Sequence, residues 1–315
     1  MNTTMIIKPG AVAVVPPRTR RRVTLTSLIV EETTKAERIE ALLSGWRHGT
    51  RGEEYRRARA AAIGHRVLRG FAERGADLLT PPDDNAKLNK GVTPSYGLTC
   101  QSHALTLSDG TRINACPWAG LCVSVCVLNR GHGRQSSVQS ARDWRTDFLG
   151  LEPRHALVMI GAELRRGVRK HGAILFRPNV NSDLAWFDIV GDTLRQLPGV
   201  TSYGYSKRPL TAEAIGPDWN ALHGLDYVAY SASEKTDNAL AERHLALGGN
   251  VATVTDRAPK QAVQQWHAVA PVVDADLSDE WIVGRSGVIG DLSFKTDKPI
   301  DAAPRFVRRV GYTSN

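Results

Sequence analysis

Ala173-Ile174-Leu175-Phe176-Arg177-Pro178-Asn179-Val180-Asn181-Ser182-Asp183 is the stretch that decides the fold. An unbroken apolar run leads into a basic residue, a proline and a string of amide, hydroxyl and carboxylate side chains. A short apolar run bounded by turn residues reads as a strand buried on both faces, as in a parallel sheet. Polar groups at its C-terminal end stand where parallel α/β proteins hold ligands. Downstream the pattern repeats. A helical segment over 186–196 leads to a strand over 200–205 that ends in Tyr203-Gly204-Tyr205-Ser206-Lys207. A helix over 211–221 leads to a strand over 227–231, ending in Tyr230-Ser231-Ala232-Ser233-Glu234-Lys235, and a helix over 238–247 to a strand over 250–255. Strands interleaved with amphipathic helices specify βαβ units. The expected fold class is α/β, with a partial or complete parallel (β/α) barrel-like core; an open doubly wound sheet is the alternative.

Upstream of that stretch, 96–107 alternates like a strand, and 138–149 and 155–170 read as helices. Nearer the start, 23–31 reads as a strand and 33–48 and 53–74 as helices. Ile39, Leu42, Leu43 and Trp46 share one face of the first helix; Ala62, Ile63, Val67, Leu68 and Phe71 share a face of the second. Residues 75–90, with Pro81-Pro82-Asp83-Asp84-Asn85, read as a linker. The chain is therefore expected to divide into a basic, mainly helical N-terminal region, 1–80, and an α/β core domain, 81–315, the part expected to bind metal on the grounds given below.

Charge follows the same division. The chain of 315 residues carries a net charge of +9, and its first 80 residues hold 15 Lys and Arg against 8 Asp and Glu. A basic arm on a nearly neutral body suggests contact with a polyanion, so DNA or RNA is an expected partner of the N-terminal region. No stretch approaches 18 uninterrupted apolar residues, so no membrane contact is expected. Arg18, Arg20, Arg21 and Arg22 follow the first apolar run, the reverse of a secretory leader, and a cytoplasmic location is expected.

All four cysteines, Cys100, Cys116, Cys122 and Cys126, fall within 27 positions. In a cytoplasmic chain such clustering points to a metal site or a reactive thiol rather than to disulfides. Cys116, Cys122 and Cys126 occupy one short loop shaped by Pro117 and Gly120, and their spacing lets three sulfurs face one centre. A structural zinc site takes four closed ligands, whereas a cluster held by three cysteines keeps one iron open. That arrangement is similar to radical S-adenosylmethionine enzymes, although the spacing here is wider than the commonest one of that class. Cys100 or His132 could supply a fourth ligand and close a zinc site. The metal ligands expected are Cys116, Cys122 and Cys126.

The strand ends supply the remaining candidates. One of Asn181, Ser182 and Asp183 could simply cap the following helix. A cap does not account for Arg177 and Asn179 as well, and three successive strands end in polar groups. A pocket is expected in which Arg177, Asn179, Ser182, Tyr205 and Ser233 bind a cofactor and Lys207, Glu234 and Asp183 act on a substrate. No phosphate-binding loop, dinucleotide fingerprint, zinc-protease helix or nucleophile elbow is present.

Read in order, these residues resemble a phage-encoded family known as gene product 88-like. The likeness runs from Leu88-Asn89-Lys90-Gly91 through Cys116-Pro117, Cys122, Cys126, Gly133-Arg134, Val138-Gln139 and Ala141-Arg142. It continues through Arg177, Asn179, Ser182, Asp183 and Trp186, then Tyr203, Tyr205, Ser206 and Lys207, then Ser231, Ser233 and Glu234. Over about 87–295 the resemblance implies a bacteriophage origin and a host-cytoplasmic location, and it has no counterpart for Cys100. The function expected is that of an iron–sulfur protein, radical S-adenosylmethionine-like, holding a [4Fe–4S] cluster and S-adenosylmethionine and acting on or near nucleic acid or a nucleotide-type substrate. The alternative is a non-enzymatic nucleic-acid-binding phage protein with a structural zinc.

Overall fold

The computed structural model describes residues 23–31, 33–68, 77–85, 88–129, 131–255 and 269–294. Arg18, Arg20, Arg21, Arg22, Arg69 and Phe71 lie outside them, as does the end of the helix expected over 53–74.

Over 23–31 the chain departs from the strand expected there. Only β1 (Val23–Thr24) is a strand, and α1 (Leu25–Glu31) is a helix. Leu25 and Ile29, four residues apart, are both fully buried, and the Ser27 backbone N–H donates to Thr24 Oγ1 at 2.9 Å. A hydroxyl that accepts from an N–H of the first turn favours helix over strand, despite the β-branched composition. Helix α2 (Lys35–His48) starts at a capping box in which Thr34 and Glu37 bond each other's backbone N–H groups, and α3 (Glu53–Leu68) follows.

Next come β2 (Ser95–Gly97), β3 (Ala104–Thr106), β4 (Arg112–Asn114), α4 (Ser136–Leu151) and α5 (Pro153–His171). The alternating units are β5 (Ile174–Arg177), α6 (Trp186–Val190), β6 (Val200–Ser206), α7 (Pro217–His223), β7 (Tyr227–Ser231), α8 (Asn238–Ala246), β8 (Asn250–Thr255), β9 (Val272–Asp274) and β10 (Ile289–Ser293). Seven of the strands form one sheet in the order β2-β5-β6-β7-β8-β10-β9, parallel throughout. Strands β1, β4 and β3 form a separate small sheet. Among the described residues β2 and β9 remain edges, so the core is an open, barrel-like α/β sheet and not a closed barrel.

The two faces of the large sheet pack differently. Along β5, Ile174 and Phe176 enter a large core shared with α1 to α5, while Leu175 points the other way. On that second face Leu175, Tyr203, Ala229 and Ala252 pack beneath Trp281 and Ile282, whose segment plugs the sheet. Gly290 permits the plug: a Cβ there would lie 2.2 Å from the Trp281 ring.

The N-terminal helices are part of the large core. Helix α2 crosses α5 at two glycines, one from each helix. A Cβ on Gly45 would lie 2.0 Å from the Val158 carbonyl oxygen, and one on Gly161 would lie 2.1 Å from that of Leu42. Over 77–85, where the sequence suggests a linker, the chain is held down. Leu78 and Leu79 are buried, and their backbone N–H groups donate to the two carboxylate oxygens of Glu163 on α5 at 3.0 and 2.8 Å.

The glycine crossing can be tested against helix propensity. Gly→Ala in an open helical position stabilises by up to about 1 kcal/mol, which is the outcome expected for Gly64→Ala on α3, where nothing lies within 4 Å of the new methyl. Gly161→Ala should do the opposite and cost about 1–3 kcal/mol, as overpacking does. Urea denaturation midpoints of the two variants should move in opposite directions.

Candidate metal centre

The cysteine loop is fixed by backbone contacts before any cofactor is considered. The Cys116 backbone N–H donates to Asn114 Oδ1 at 2.9 Å, and that of Asp183 donates to the Ala115 carbonyl at 2.9 Å. The start of the loop is thereby tied to the turn that follows β5. Cys116 Sγ lies 3.5 Å from the Asn181 carbonyl, and Cys126 Sγ lies 3.4 Å from Ser102 Oγ. A 3₁₀ turn, Leu121–Val125, carries Cys122 between them.

Cys116, Cys122 and Cys126 all line one cavity of about 790 Å³ at the C-terminal edge of the sheet. Arg177, Asn179, Ser182, Asp183, Tyr205 and Lys207 line it too, from the ends of β5 and β6, as does Ser231 from β7. Ser233 and Glu234 do not line it. Cys100 lies in the large hydrophobic core, and burial pushes its thiol up to about 12. His132 is exposed and faces Gln135 at 3.1 Å. Neither of these two sits on the cavity wall.

Burial pushes the Cys116 thiol up to about 12, opposed by a backbone hydrogen bond at His103 and reinforced by Asp183, Cys126 and Cys122. Cys122 is raised by burial as well, and the Lys207 ammonium pulls it back. Cys116 and Cys122 thus stand where burial penalises the thiolate, a penalty that a bound cation would relieve. As they stand, no three His, Cys, Asp or Glu side chains among the described residues are grouped to hold a single ion.

The polar strand ends divide into spent and unspent groups. Arg177 is buried and spent: it pairs with Asp279, donates to the Val180 carbonyl at 3.2 Å and stacks 4.8 Å above the Tyr205 ring. Tyr205 donates to the same carboxylate at 2.8 Å and accepts from the Trp281 indole at 3.1 Å. Asn179 accepts from Ser182 Oγ, the Leu184 N–H and the Trp186 indole, and donates to the Leu184 carbonyl at 3.0 Å. Arg177, Asn179 and Ser182 therefore build the turn after β5. Ser233 likewise braces its own loop, accepting from the Lys235 N–H at 3.2 Å. Lys207 donates through Nζ to Ser231 Oγ at 2.7 Å. Asp183 accepts from the Lys207 N–H through Oδ2, while its Oδ1 is buried with no hydrogen-bond partner. Burial lifts that carboxyl to about 6.

Two further residues belong to the site. His103 lines the cavity, holds a positive φ of 61°, and keeps Nδ1 buried without a hydrogen-bond partner. The rule that flagged Arg177 could have found it, because Gln101-Ser102-His103 also follows a strand of the sheet, β2. Asp279, the counter-charge of Arg177, has no such signal, since it arrives from the plug.

Fold and cavity together define an open parallel α/β protein with a thiol-lined pocket at the C-terminal edge of its sheet. The Gene product 88 family profile matches residues 75–292, and the chain belongs to that family of phage gene products. Among curated proteins and solved structures, none matches the chain at a significant level.

Removing Asp279 tests the assignment of Arg177 as a brace. Asp279→Ala leaves a buried guanidinium unpaired and should cost about 3–5 kcal/mol. Ser182→Ala removes one neutral hydrogen bond and should cost about 0.5–1.5 kcal/mol. Chemical denaturation of both variants checks the ratio.

Proposed function

We propose that this phage protein holds a [4Fe–4S] cluster through Cys116, Cys122 and Cys126, in the manner of radical S-adenosylmethionine proteins, and acts on a nucleotide-type substrate or on nucleic acid. The observation that carries the reading is that three half-buried cysteines line one cavity at the C-terminal ends of the parallel strands. At about 790 Å³ the cavity falls in the range of sites for nucleoside-sized ligands. Asp183, with an unpartnered oxygen beside the thiols, offers an acceptor to such a ligand. Lys207 offers a cationic wall next to Cys122. When bound, the cluster would supply one-electron chemistry; the chain's own residues bind, orient and exclude water. Such a protein would work in the host cytoplasm.

Anaerobic reconstitution with iron and sulfide tests this directly. The wild-type protein should turn brown and hold about four irons, the complement of one such cluster. Cys116→Ala, Cys122→Ala and Cys126→Ala should each lose that iron, and Cys100→Ala should keep it. Colourless protein carrying one zinc would overturn the reading and favour the structural-zinc alternative.

Nucleic-acid contact rests on the basic N-terminal region. On α3, Arg57 pairs with Glu53 and Arg59 bonds Tyr55; Arg56 and Arg57 on this helix, and Arg51 in the turn before it, stand exposed at the surface. Helices α1 to α3 are built into the core, so the test keeps the chain whole. Arg18, Arg20, Arg21, Arg22, Arg51 and Arg56 are replaced together by Gln. Affinity for DNA or RNA should fall steeply with salt in the wild type, and the log–log slope should flatten by about 0.7–0.9 for each phosphate that the variant no longer neutralises. An unchanged slope would retire this role for the region.

A further inference from the structure

Glu234 reaches the cysteine loop from behind the cavity wall. Its Oε1 accepts from the Leu121 N–H at 2.9 Å, at the first residue of the turn that carries Cys122. The same oxygen occupies the space a side chain at 120 would need, for a Cβ on Gly120 would lie 1.7 Å from it. The loop that presents Glu234 is stiff. Thr236 Oγ1 accepts from the Ser233 N–H at 2.8 Å and bonds the Tyr230 hydroxyl at 2.9 Å, and the Thr236 N–H donates to the Ser233 carbonyl at 3.2 Å. The second carboxylate oxygen, Oε2, is buried with no hydrogen-bond partner. We propose that Glu234 is a positioning residue: it clamps the cysteine loop to β7 through the Leu121 N–H and so sets where the Cys122 sulfur stands in the cavity. The inference rests on the reading of Cys122 as a ligand only for its consequence on iron; the clamp itself is a property of the metal-free chain.

Two measurements separate the clamp from the cluster. In metal-free protein, alkylation of each cysteine by iodoacetamide is followed by peptide mass spectrometry. Glu234→Ala should speed alkylation of Cys122 about tenfold, the change in open population that losing one charge-assisted hydrogen bond gives. Cys116 and Cys126 should change much less. Glu234→Gln keeps an acceptor for the Leu121 N–H and should restore the wild-type rate. Gly120→Ala, which pushes the flexible carboxylate aside, should reproduce the Glu234→Ala pattern from the other partner. On reconstitution, Glu234→Ala should hold less iron than wild type and Glu234→Gln the full amount. Equal acceleration at all three cysteines, or none at Cys122, would overturn the clamp. If the Cys122 pattern appears but the wild type takes up no iron, the clamp stands and the cluster reading falls.

Discussion

The pairing of Arg177 with Asp279 is the contact on which the site depends. Both groups are almost completely buried, and each is held by more than its partner. Arg177 ends β5 and bonds the carbonyl of Val180 in the turn beyond it; Asp279 sits on the segment that plugs the second face of the sheet and also binds Tyr205 at the end of β6. Two strand ends, the turn carrying Asp183 and the plug are thereby locked at one point. Breaking such a pair leaves a charge with no water to solvate it, which is why geometry here is rigid and not merely favoured. The cysteine loop inherits that rigidity, since Asp183 anchors it through the Ala115 carbonyl.

Much of this was legible in the sequence where one local pattern decided the outcome. The strands over 227–231 and 250–255 stand at their expected bounds, because an apolar run flanked by turn residues has few other ways to be buried. The stretch over 23–31 failed for an equally local reason: its β-branched residues suggest a strand, but Leu25 and Ile29 are spaced for a helix and Thr24 caps it. Closure was not legible. Whether the edges of a parallel sheet meet depends on strand tilt and on what fills the concave face, and the large indole of Trp281 is set by packing rather than by any motif.

The site shows the same limit one level up. Location at the C-terminal end of a strand brings Arg177, Asn179, Asp183, Tyr205 and Lys207 to one cavity wall. It could not say which of them keeps an atom free. Asn179 engages both its oxygen and its amide within seven residues of itself, whereas Asp183, four positions later, leaves one buried oxygen without a hydrogen-bond partner. Residue type predicts neighbourhood; only the hydrogen-bond accounting separates a residue whose polar atoms are engaged in the turn from one that keeps an atom unpartnered.

The paired glycines where α2 meets α5 carry a last consequence. The family profile starts at residue 75, downstream of α2, yet the close approach of the two backbones joins the unmatched helices to the matched core. A chain begun near that point would present, along α5, a backbone-lined groove notched at Gly161. That groove is a socket of fixed shape, cut for one helix with its own notch at Gly45. The helices that the profile leaves out therefore complete the core of the part it matches, and a chain cut near residue 75 would lay bare the face of α5 that they cover.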